Sequence, residues 1–277
     1  MNVTELTKTL TIDEYGIFRN PTVYSLAYPK DQNRRCFQVE DRSFWFRHRN
    51  DCIISVIKRF LPTGLIIDLG GGNGYVARRM LDEGFDAALL EPGLVGAFNG
   101  KTERKIPLVI CSTLEDAGFP SESISAIGCF DVIEHIQDDR MFINHIQRVL
   151  EPHGLFYATV PAHEWLWSGH DIRAQHYRRY TKEMISELLE PHFDLLYCTY
   201  FFGALVLPTF IAKTLPYRLG LSKNASILPI ESEHGIGGGI SVGIIKGFLR
   251  REYTNVAGGM EKRLGTSCLF VARKIAA

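Results

Sequence analysis

The sequence predicts a doubly wound α/β fold, in which helices cover both faces of a mostly parallel sheet. Short apolar segments alternate with amphipathic helical patterns, and glycine or proline bounds most of these segments. The first five apolar segments span residues 65–69, 85–90, 106–111, 124–130 and 155–160. Such predominantly apolar segments are typical of strands buried on both faces of a parallel sheet. In such a sheet the ligand crevice lies beyond the carboxyl ends of the strands.

Helical patterns fill the intervals between these strands. One helical face precedes the first strand and ends at Pro62; it carries Ile53, Val56, Ile57 and Phe60. The next helix begins at Tyr75, and Gly84 is placed to follow its last turn. Further helices are predicted before residue 152, after Thr181 and over residues 244–256. Residues 193–202 and 265–274 give a sixth and a seventh strand.

A glycine cluster follows the first strand directly. The cluster consists of Asp68, Gly70, Gly71, Gly72, Asn73 and Gly74. Glycine permits a sharp turn and lets the backbone approach a ligand closely, because it has no Cβ. The helix that begins at Tyr75 presents its free N–H groups to the same place. These features predict a site for a nucleotide-type cofactor.

The spacing of the glycines distinguishes between cofactors. A dinucleotide fingerprint needs a glycine where Tyr75 stands, and the cluster lacks the Gly-Lys-Ser/Thr of a phosphate-binding loop. The pattern Asp68-x-Gly70-x-Gly72-x-Gly74 resembles motif I of the class I S-adenosylmethionine-dependent methyltransferases. The resemblance implies S-adenosyl-L-methionine as cofactor. A nicotinamide-dependent oxidoreductase is the alternative.

Three further stretches carry the same resemblance. Residues 130–136 resemble an FDxIEHI segment of the superfamily. Residues 160–181 resemble a VPA-x-x-x-LWS-x-x-D…GH-x-RRY-T block of a bacterial methyltransferase subfamily (type 11/23-like), with Gln175 where glycine is usual. The closing strand resembles GxSxxxxARK. Together these imply a Rossmann-like, seven-stranded sheet whose last strand is antiparallel and lies beside the sixth.

The resemblance, together with position in the chain, assigns the cofactor residues. Asp68 organises the glycine turn, and Glu91, about 20 residues beyond it and followed by Pro92, binds the ribose hydroxyls. Thr113 and Leu114 border the adenine. Cys129 and Phe130 lie against the methionine half. Arg49, in an aromatic and charged segment before the sheet, is a candidate for a carboxylate contact.

The segment after the fifth strand is the predicted acceptor site. A loop rich in tryptophan excludes water, a histidine can take a proton from the acceptor, and arginine can bind an anionic group. The candidate bases are His170 and His176 in this segment and His135 after the fourth strand. The candidate acceptor-binding residues are Trp165, Trp167, Asp171, Arg178, Arg179 and Tyr180. Two alternatives stay open: Asp171, His176 and Arg179 form a buried polar network that holds the loop, and His135 bonds a backbone carbonyl.

The domain organisation predicted from the sequence is an N-terminal arm or lid over residues 1–48 and a methyltransferase domain over residues 49–277. Acceptor-side insertions are expected at about 161–181 and 203–264, the second with a glycine hinge at residues 235–239. Residues 195–212 carry no charge, so a lid helix, an apolar substrate wall or a membrane-surface contact through residues 201–215 is expected.

Composition limits the class of partner. The formal net charge is zero and there is no basic stripe, so nucleic acid is not expected and a small-molecule, sugar or lipid-linked acceptor is favoured. The six cysteines include no CxxC pair, which predicts no metal site and a reducing, cytoplasmic location. The N-terminus has no signal-peptide pattern. A non-catalytic protein that binds the cofactor and partners another enzyme is a further alternative.

Overall fold

A computed structural model of the protein describes residues 10–20, 30–221 and 240–276. Within these residues one sheet has the strand order β1-β2-β5-β4-β3-β6-β7-β9-β8. The strands are β1 Thr11–Ile12, β2 Phe18–Arg19, β3 Ile66–Leu69, β4 Ala87–Leu90, β5 Val109–Cys111, β6 Ile124–Phe130, β7 Leu150–Pro161, β8 Phe193–Phe201 and β9 Ser267–Lys274.

The sheet is parallel from β5 through β7, and β9 runs antiparallel between β7 and β8. The predicted doubly wound sheet with an antiparallel last strand is therefore confirmed. The strand count differs from the predicted seven because a short N-terminal hairpin extends the edge: Phe18 and Arg19 pair in parallel with Ile110 and Cys111. The sequence predicts irregular structure here, since strands of two residues carry no periodic pattern.

Helices cover both faces of the sheet. They are α1 Lys30–Val39, α2 Phe44–Arg59, α3 Tyr75–Asp82, α4 Leu94–Thr102, α5 Asp139–Val149, α6 Gly169–Arg173, α7 Lys182–Leu189, α8 Val206–Thr209, α9 Leu215–Arg218 and α10 Ile240–Ala257. Side-chain caps fix several starts: Ser43 accepts from the N–H groups of Trp45 and Phe46, and Thr181 accepts from that of Met184. Gly84 follows α3 with a φ of +85°, as predicted.

Two apolar layers hold the helices to the sheet. Phe142 and Ile146 of α5 and Ile185 of α7 pack against one face, with Phe156 and Phe270 from the strands. The second layer packs α2, α3 and α10 against the other face; it contains Ile53, Ile57, Met80, Val256 and Leu269. Burial on both faces explains why β4 is apolar throughout and why β3 and β6 each contain a single polar side chain, Asp68 and Ser125.

The insertion after β8 is helical over its described part. A turn at Gly203–Leu205 leads into α8, a π-helical turn at Phe210–Thr214 and α9. The predicted glycine hinge at residues 235–239 lies outside the described residues. None of the helices described here is long and apolar enough to cross a membrane.

Candidate cofactor and acceptor site

The glycine turn lies where β3 ends, at the carboxyl edge of the sheet. Gly70 has a φ of +68°, and a Cβ there would lie 2.8 Å from Cγ2 of Val132. A Cβ on Gly71 would lie 2.4 Å from Oδ2 of Asp68. The turn therefore packs tightly against the segment that follows β6, and only glycine fits at these two positions.

Asp68 holds the turn from within the protein. Its side chain is fully buried, and Oδ2 accepts a hydrogen bond of 3.0 Å from the N–H of Ala77 in α3. Its Oδ1 has no hydrogen-bond partner among the described residues. Burial raises the pKa of Asp68 to about 7, while the nearby Arg49 acts in the opposite direction. An unpartnered, buried carboxylate oxygen beside the turn fits the ammonium end of the cofactor, or a water that bridges to it.

Glu91 reaches the same turn from β4. Its Oε2 accepts from the N–H of Gly72 at 2.9 Å and its Oε1 from that of Gly93 at 2.7 Å. Burial raises the pKa of Glu91 to about 7. A carboxylate oxygen can accept more than one hydrogen bond, so the ribose-binding role predicted for Glu91 is compatible with these contacts.

Asn73 connects the turn to the N-terminal arm. Its Nδ2 donates to Oε1 of Glu40 at 2.9 Å, and its Oδ1 accepts from Nδ2 of Asn99 at 2.9 Å. Glu40 is buried and forms an ion pair of 3.0 Å with Arg104. The sequence gives no indication of Glu40, because the contact joins residues far apart in the chain. Through it, the end of α1 is held against the glycine turn.

The remaining cofactor candidates lie at the ends of β4, β5 and β6. Pro92 follows Glu91 directly. Thr113 Oγ1 donates to Asp116 at 3.2 Å, and Leu114 is buried in the core. Cys129 is buried in the sheet, which raises the pKa of its thiol well above the usual value. Their cofactor contacts stay predictions.

Arg49 fixes the end of β6. Its Nη2 donates to the carbonyl of Phe130 at 2.8 Å, and its Nε lies 2.6 Å from Oδ2 of Asp131. Asp131 has a φ of +59° and accepts from Oγ1 of Thr159 at 3.0 Å. Asp131 was not predicted as a site residue, although it follows its strand directly, as Glu91 follows β4. The carboxylate contact proposed for Arg49 stays a prediction, since its guanidinium is engaged within the protein.

Asp171 is the centre of a buried polar network on the acceptor side. It is fully buried and accepts from Arg179, from His176 Nδ1 at 3.0 Å and from the N–H of Ser168 at 2.9 Å. Burial acts to raise the pKa of Asp171, but the bonds from His176 and Arg179 hold it well below its ordinary value. Arg179 also donates to the carbonyl of Ala162 at 3.1 Å. This is the network that the sequence analysis gave as the alternative to acceptor binding.

The candidate bases form a row of imidazoles beside this network. The ring centroids of His135 and His176 are 4.8 Å apart, and those of His170 and His176 are 6.4 Å apart. Burial, followed by the neighbouring His176, lowers the pKa of His135 to about 4. His135 is therefore neutral at neutral pH. Glu134, which the sequence analysis did not select, lies next to these rings and is buried.

The other acceptor-side candidates differ in what their side chains contact. Arg178 donates to the carbonyls of Ile136 and Gln137 and pairs with Asp139 at 2.7 Å. Tyr180 is buried and donates to the same carboxylate at 2.9 Å. Trp167 is half-buried, and Trp165 is exposed and stacked on His163, with ring centroids 5.6 Å apart. Of these side chains, Trp165 has the most surface available to a ligand.

A second polar cluster joins the helical insertion to α2. Glu252 of α10 lies 2.8 Å from Nε2 of His48 and accepts from the N–H groups of Phe202 and Gly203 at 2.7 and 2.8 Å. The ring of Phe202 stacks on Trp45, with centroids 5.3 Å apart. The sequence predicts that the aromatic segment around Trp45 either packs the arm onto the domain or caps a ligand. The stack with Phe202 is a packing contact.

Comparison with known proteins identifies the family. A family model described as methyltransferase domain matches residues 45–196, which is more than half of the chain. The chain belongs to this methyltransferase family. The predicted superfamily, methyltransferase class and S-adenosyl-L-methionine cofactor are thereby confirmed at the level of the family.

Similar proteins agree with this assignment. A probable S-adenosylmethionine-dependent methyltransferase of Mycolicibacterium smegmatis is 25% identical over 175 residues, which are 59% of this chain and 64% of that protein. The chain thus spans under two thirds of the length of that relative. Phosphoethanolamine N-methyltransferase 2 of Haemonchus contortus, in complex with phosphomonomethylethanolamine and S-adenosylhomocysteine, has a TM-score of 0.55 at 18% identity and shares 89% of this chain and 58% of its own. The cyclase SpnF has a TM-score of 0.55 at 16% identity and shares 92% of this chain and 100% of its own. These two structures show the fold alone.

Proposed function

We propose that the protein transfers the methyl group of S-adenosyl-L-methionine to a small-molecule, sugar or lipid-linked acceptor. The observation that carries this proposal is the pair of buried carboxylates, Asp68 and Glu91, on the two sides of the glycine turn. They lie at the ends of neighbouring strands, where a doubly wound sheet binds its ligand.

Methyl transfer requires the protein mainly to position the cofactor and the acceptor. S-adenosyl-L-methionine supplies a sulfonium methyl group, so the acceptor atom bonds to the methyl carbon, the carbon–sulfur bond breaks and the sulfur keeps the electron pair. An acceptor that carries a proton must also lose it. His135, His170 and His176 are the candidate side chains for that proton, and Trp165 and Trp167 help to exclude water.

The two alternatives from the sequence predict different ligands. A nicotinamide oxidoreductase would bind NADH, although Tyr75 replaces the third glycine of the dinucleotide fingerprint. A non-catalytic partner protein would bind S-adenosyl-L-methionine and produce no S-adenosyl-L-homocysteine. The similarity to a cyclase is a reason to test methyl transfer itself, because one fold supports different reactions.

Calorimetric titration with S-adenosyl-L-methionine, S-adenosyl-L-homocysteine and NADH in parallel tests the cofactor. Binding of the first two alone is expected. Glu91→Ala is expected to weaken that binding by about tenfold or more, because the ribose loses a charge-assisted hydrogen bond. Glu103→Ala, an exposed acid at the end of α4, is the matched control. Binding of NADH alone, or unchanged affinity in Glu91→Ala, would contradict the assignment.

The insertion after β8 bears on the class of acceptor. Its outer apolar stripe has exposed side chains four residues apart: Leu207 is 65% exposed, Ile211 55%, Leu215 38% and Leu219 62%. Such a stripe favours contact with a membrane surface, which a lipid-linked acceptor requires. The six cysteines are free, which suits the reducing cytoplasmic side of a membrane.

Vesicle sedimentation tests the membrane contact. The protein is expected to sediment with phospholipid vesicles, and Leu207→Ser/Ile211→Ser is expected to stay in solution while it binds S-adenosyl-L-homocysteine normally. Met141→Ser, which removes an exposed apolar side chain from α5, is the control. Equal sedimentation of the two variants would favour a soluble acceptor.

A further inference from the structure

We propose that Glu134, His135 and His176 bind a divalent transition-metal ion on the acceptor side of the crevice. The sequence predicts no metal, because it contains neither a CxxC pair nor H-E-x-x-H spacing. The three residues come from two segments: Glu134 and His135 from the turn after β6, and His176 from the segment after α6. One ligand atom of each lies within 4.8 Å of the others. Shifts of about an ångström bring atoms at that separation onto one ion.

Glu134 is the first observation that points to a cation. It is 1% exposed, and its Oε2 has no hydrogen-bond partner among the described residues. A buried carboxylate oxygen without a partner is costly and uncommon. The two buried guanidinium groups of the site are already engaged, since Arg49 pairs with Asp131 and Arg179 with Asp171. A bound cation would offset the cost of burying Glu134.

The orientation of His176 is the second observation. Its Nδ1 lies 3.0 Å from Oδ1 of Asp171, which is itself held by Arg179. A carboxylate that accepts from one ring nitrogen fixes the tautomer in which the other nitrogen carries a free electron pair. Metal-binding histidines are usually held by such a carboxylate. Asp171 therefore acts as a positioning residue for His176.

The ligand types indicate the kind of ion. Two imidazoles and one carboxylate are the ligand set of catalytic zinc sites and of mononuclear iron(II) sites, and they leave coordination positions open. Magnesium and calcium prefer oxygen ligands. The open positions would bind and polarise an oxygen of the acceptor. This role in acceptor binding extends the proposed function and rests on it. The existence of the metal site does not depend on the proposed function.

Titration of the metal-free protein with Co²⁺ tests the site, because Co²⁺ reports its coordination by visible absorption. One ion per chain is expected, with bands typical of a low-coordinate nitrogen–oxygen site, and Zn²⁺ is expected to displace it. Glu134→Gln keeps the size of the side chain and is expected to weaken binding by more than about tenfold, the loss typical even of second-shell changes. His153→Asn is the matched control, since His153 is exposed at the opposite edge of the sheet and asparagine tolerates its φ of +65°.

Titration of the wild type and of both variants with S-adenosyl-L-homocysteine distinguishes a lost metal site from a misfolded variant and from a wrong proposed function. Normal binding in Glu134→Gln shows that the variant is folded, so a loss of Co²⁺ then belongs to the site. Equal Co²⁺ affinity in wild type, Glu134→Gln and His153→Asn, or no visible bands in the wild type, would overturn the metal site and leave the proposed methyl transfer intact. Failure of the wild type to bind S-adenosyl-L-homocysteine would contradict the proposed function and not the metal site.

Discussion

Asp171 and Arg179 form a bidentate ion pair in which Nε lies 2.8 Å from Oδ1 and Nη2 lies 3.1 Å from Oδ2. Both side chains are buried. The pair connects α6 to the segment after it, and Arg179 continues to the carbonyl of Ala162 at the end of β7. The acceptor-side loop is therefore held to the sheet by charge-assisted hydrogen bonds rather than by apolar packing alone.

Asp171→Ala is expected to lower the free energy of unfolding by about 3–5 kcal/mol, because Arg179 stays buried without its counter-charge. Urea denaturation measures the loss. Asp194→Ala is the matched control: it removes an exposed carboxylate 3.4 Å from Arg273 and is expected to cost less than about 1 kcal/mol. Equal losses in the two variants would show that the Asp171 pair does not hold the loop.

Glu91 makes the stability of the ligand-free protein depend on pH. Burial raises its pKa from 4.5 to about 7, so between these values the folded state binds more protons than the unfolded state. The free energy of unfolding therefore falls as pH rises through this window, and Asp68 acts in the same direction. Glu91→Gln is expected to be more stable than wild type at pH 8 by an amount on the order of 1–3 kcal/mol, and to differ less at pH 5. Thermal unfolding at the two pH values measures this.

The same substitution is expected to weaken cofactor binding, since glutamine offers the ribose no charge. Glu103→Gln, at an exposed position, is expected to change neither the pH dependence nor the affinity. A Glu91→Gln variant that is less stable than wild type at pH 8 would mean that the bonds to Gly72 and Gly93 outweigh the cost of burying the charge.

The sequence predicts those features that depend on neighbours along the chain. The strand at residues 124–130 has the predicted bounds, and Asp68 and Glu91 lie beside the glycine turn, as their places relative to their strands predict. The β1–β2 hairpin was missed because β2 forms through pairing with β5, and β1 through pairing with β2. The contact of His48 with Glu252 spans 204 residues, so no local pattern could indicate it. Patterns of neighbouring residues cannot predict a contact between residues that are far apart in the chain.

Gln175 offers a test of a strained backbone position. Its φ is +59°, in the left-handed region, and the related bacterial motif has glycine here. Gln175→Gly is expected to stabilise the protein by up to about 1 kcal/mol, because relief of the strain exceeds the added entropy of the unfolded chain. A rise of about 2–4 °C in Tm would accompany it. Gln147→Gly in α5 is the control and is expected to destabilise by about 1 kcal/mol.

Glu252 holds three elements together: α10, the end of β8 and, through His48, α2. Its two oxygens accept from the N–H groups of Phe202 and Gly203, and Phe202 has a φ of +60° that these bonds stabilise. Glu252→Gln keeps the size of the side chain but replaces one acceptor with a donor. A buried N–H then loses its partner, and we expect a loss of about 1–3 kcal/mol in urea denaturation.

The effect of Glu252→Gln on activity distinguishes a role in acceptor binding from a purely stabilising role. The insertion that it anchors carries the outer apolar stripe, so Glu252→Gln is expected to raise KM for the acceptor while the affinity for S-adenosyl-L-homocysteine stays unchanged. Glu261→Gln removes an exposed partner of Lys182 at 2.9 Å and is the matched control, with little effect on either quantity. If Glu252→Gln weakened S-adenosyl-L-homocysteine binding as strongly as acceptor binding, the cluster would support the cofactor crevice as a whole, because α2 also carries Arg49 against the end of β6.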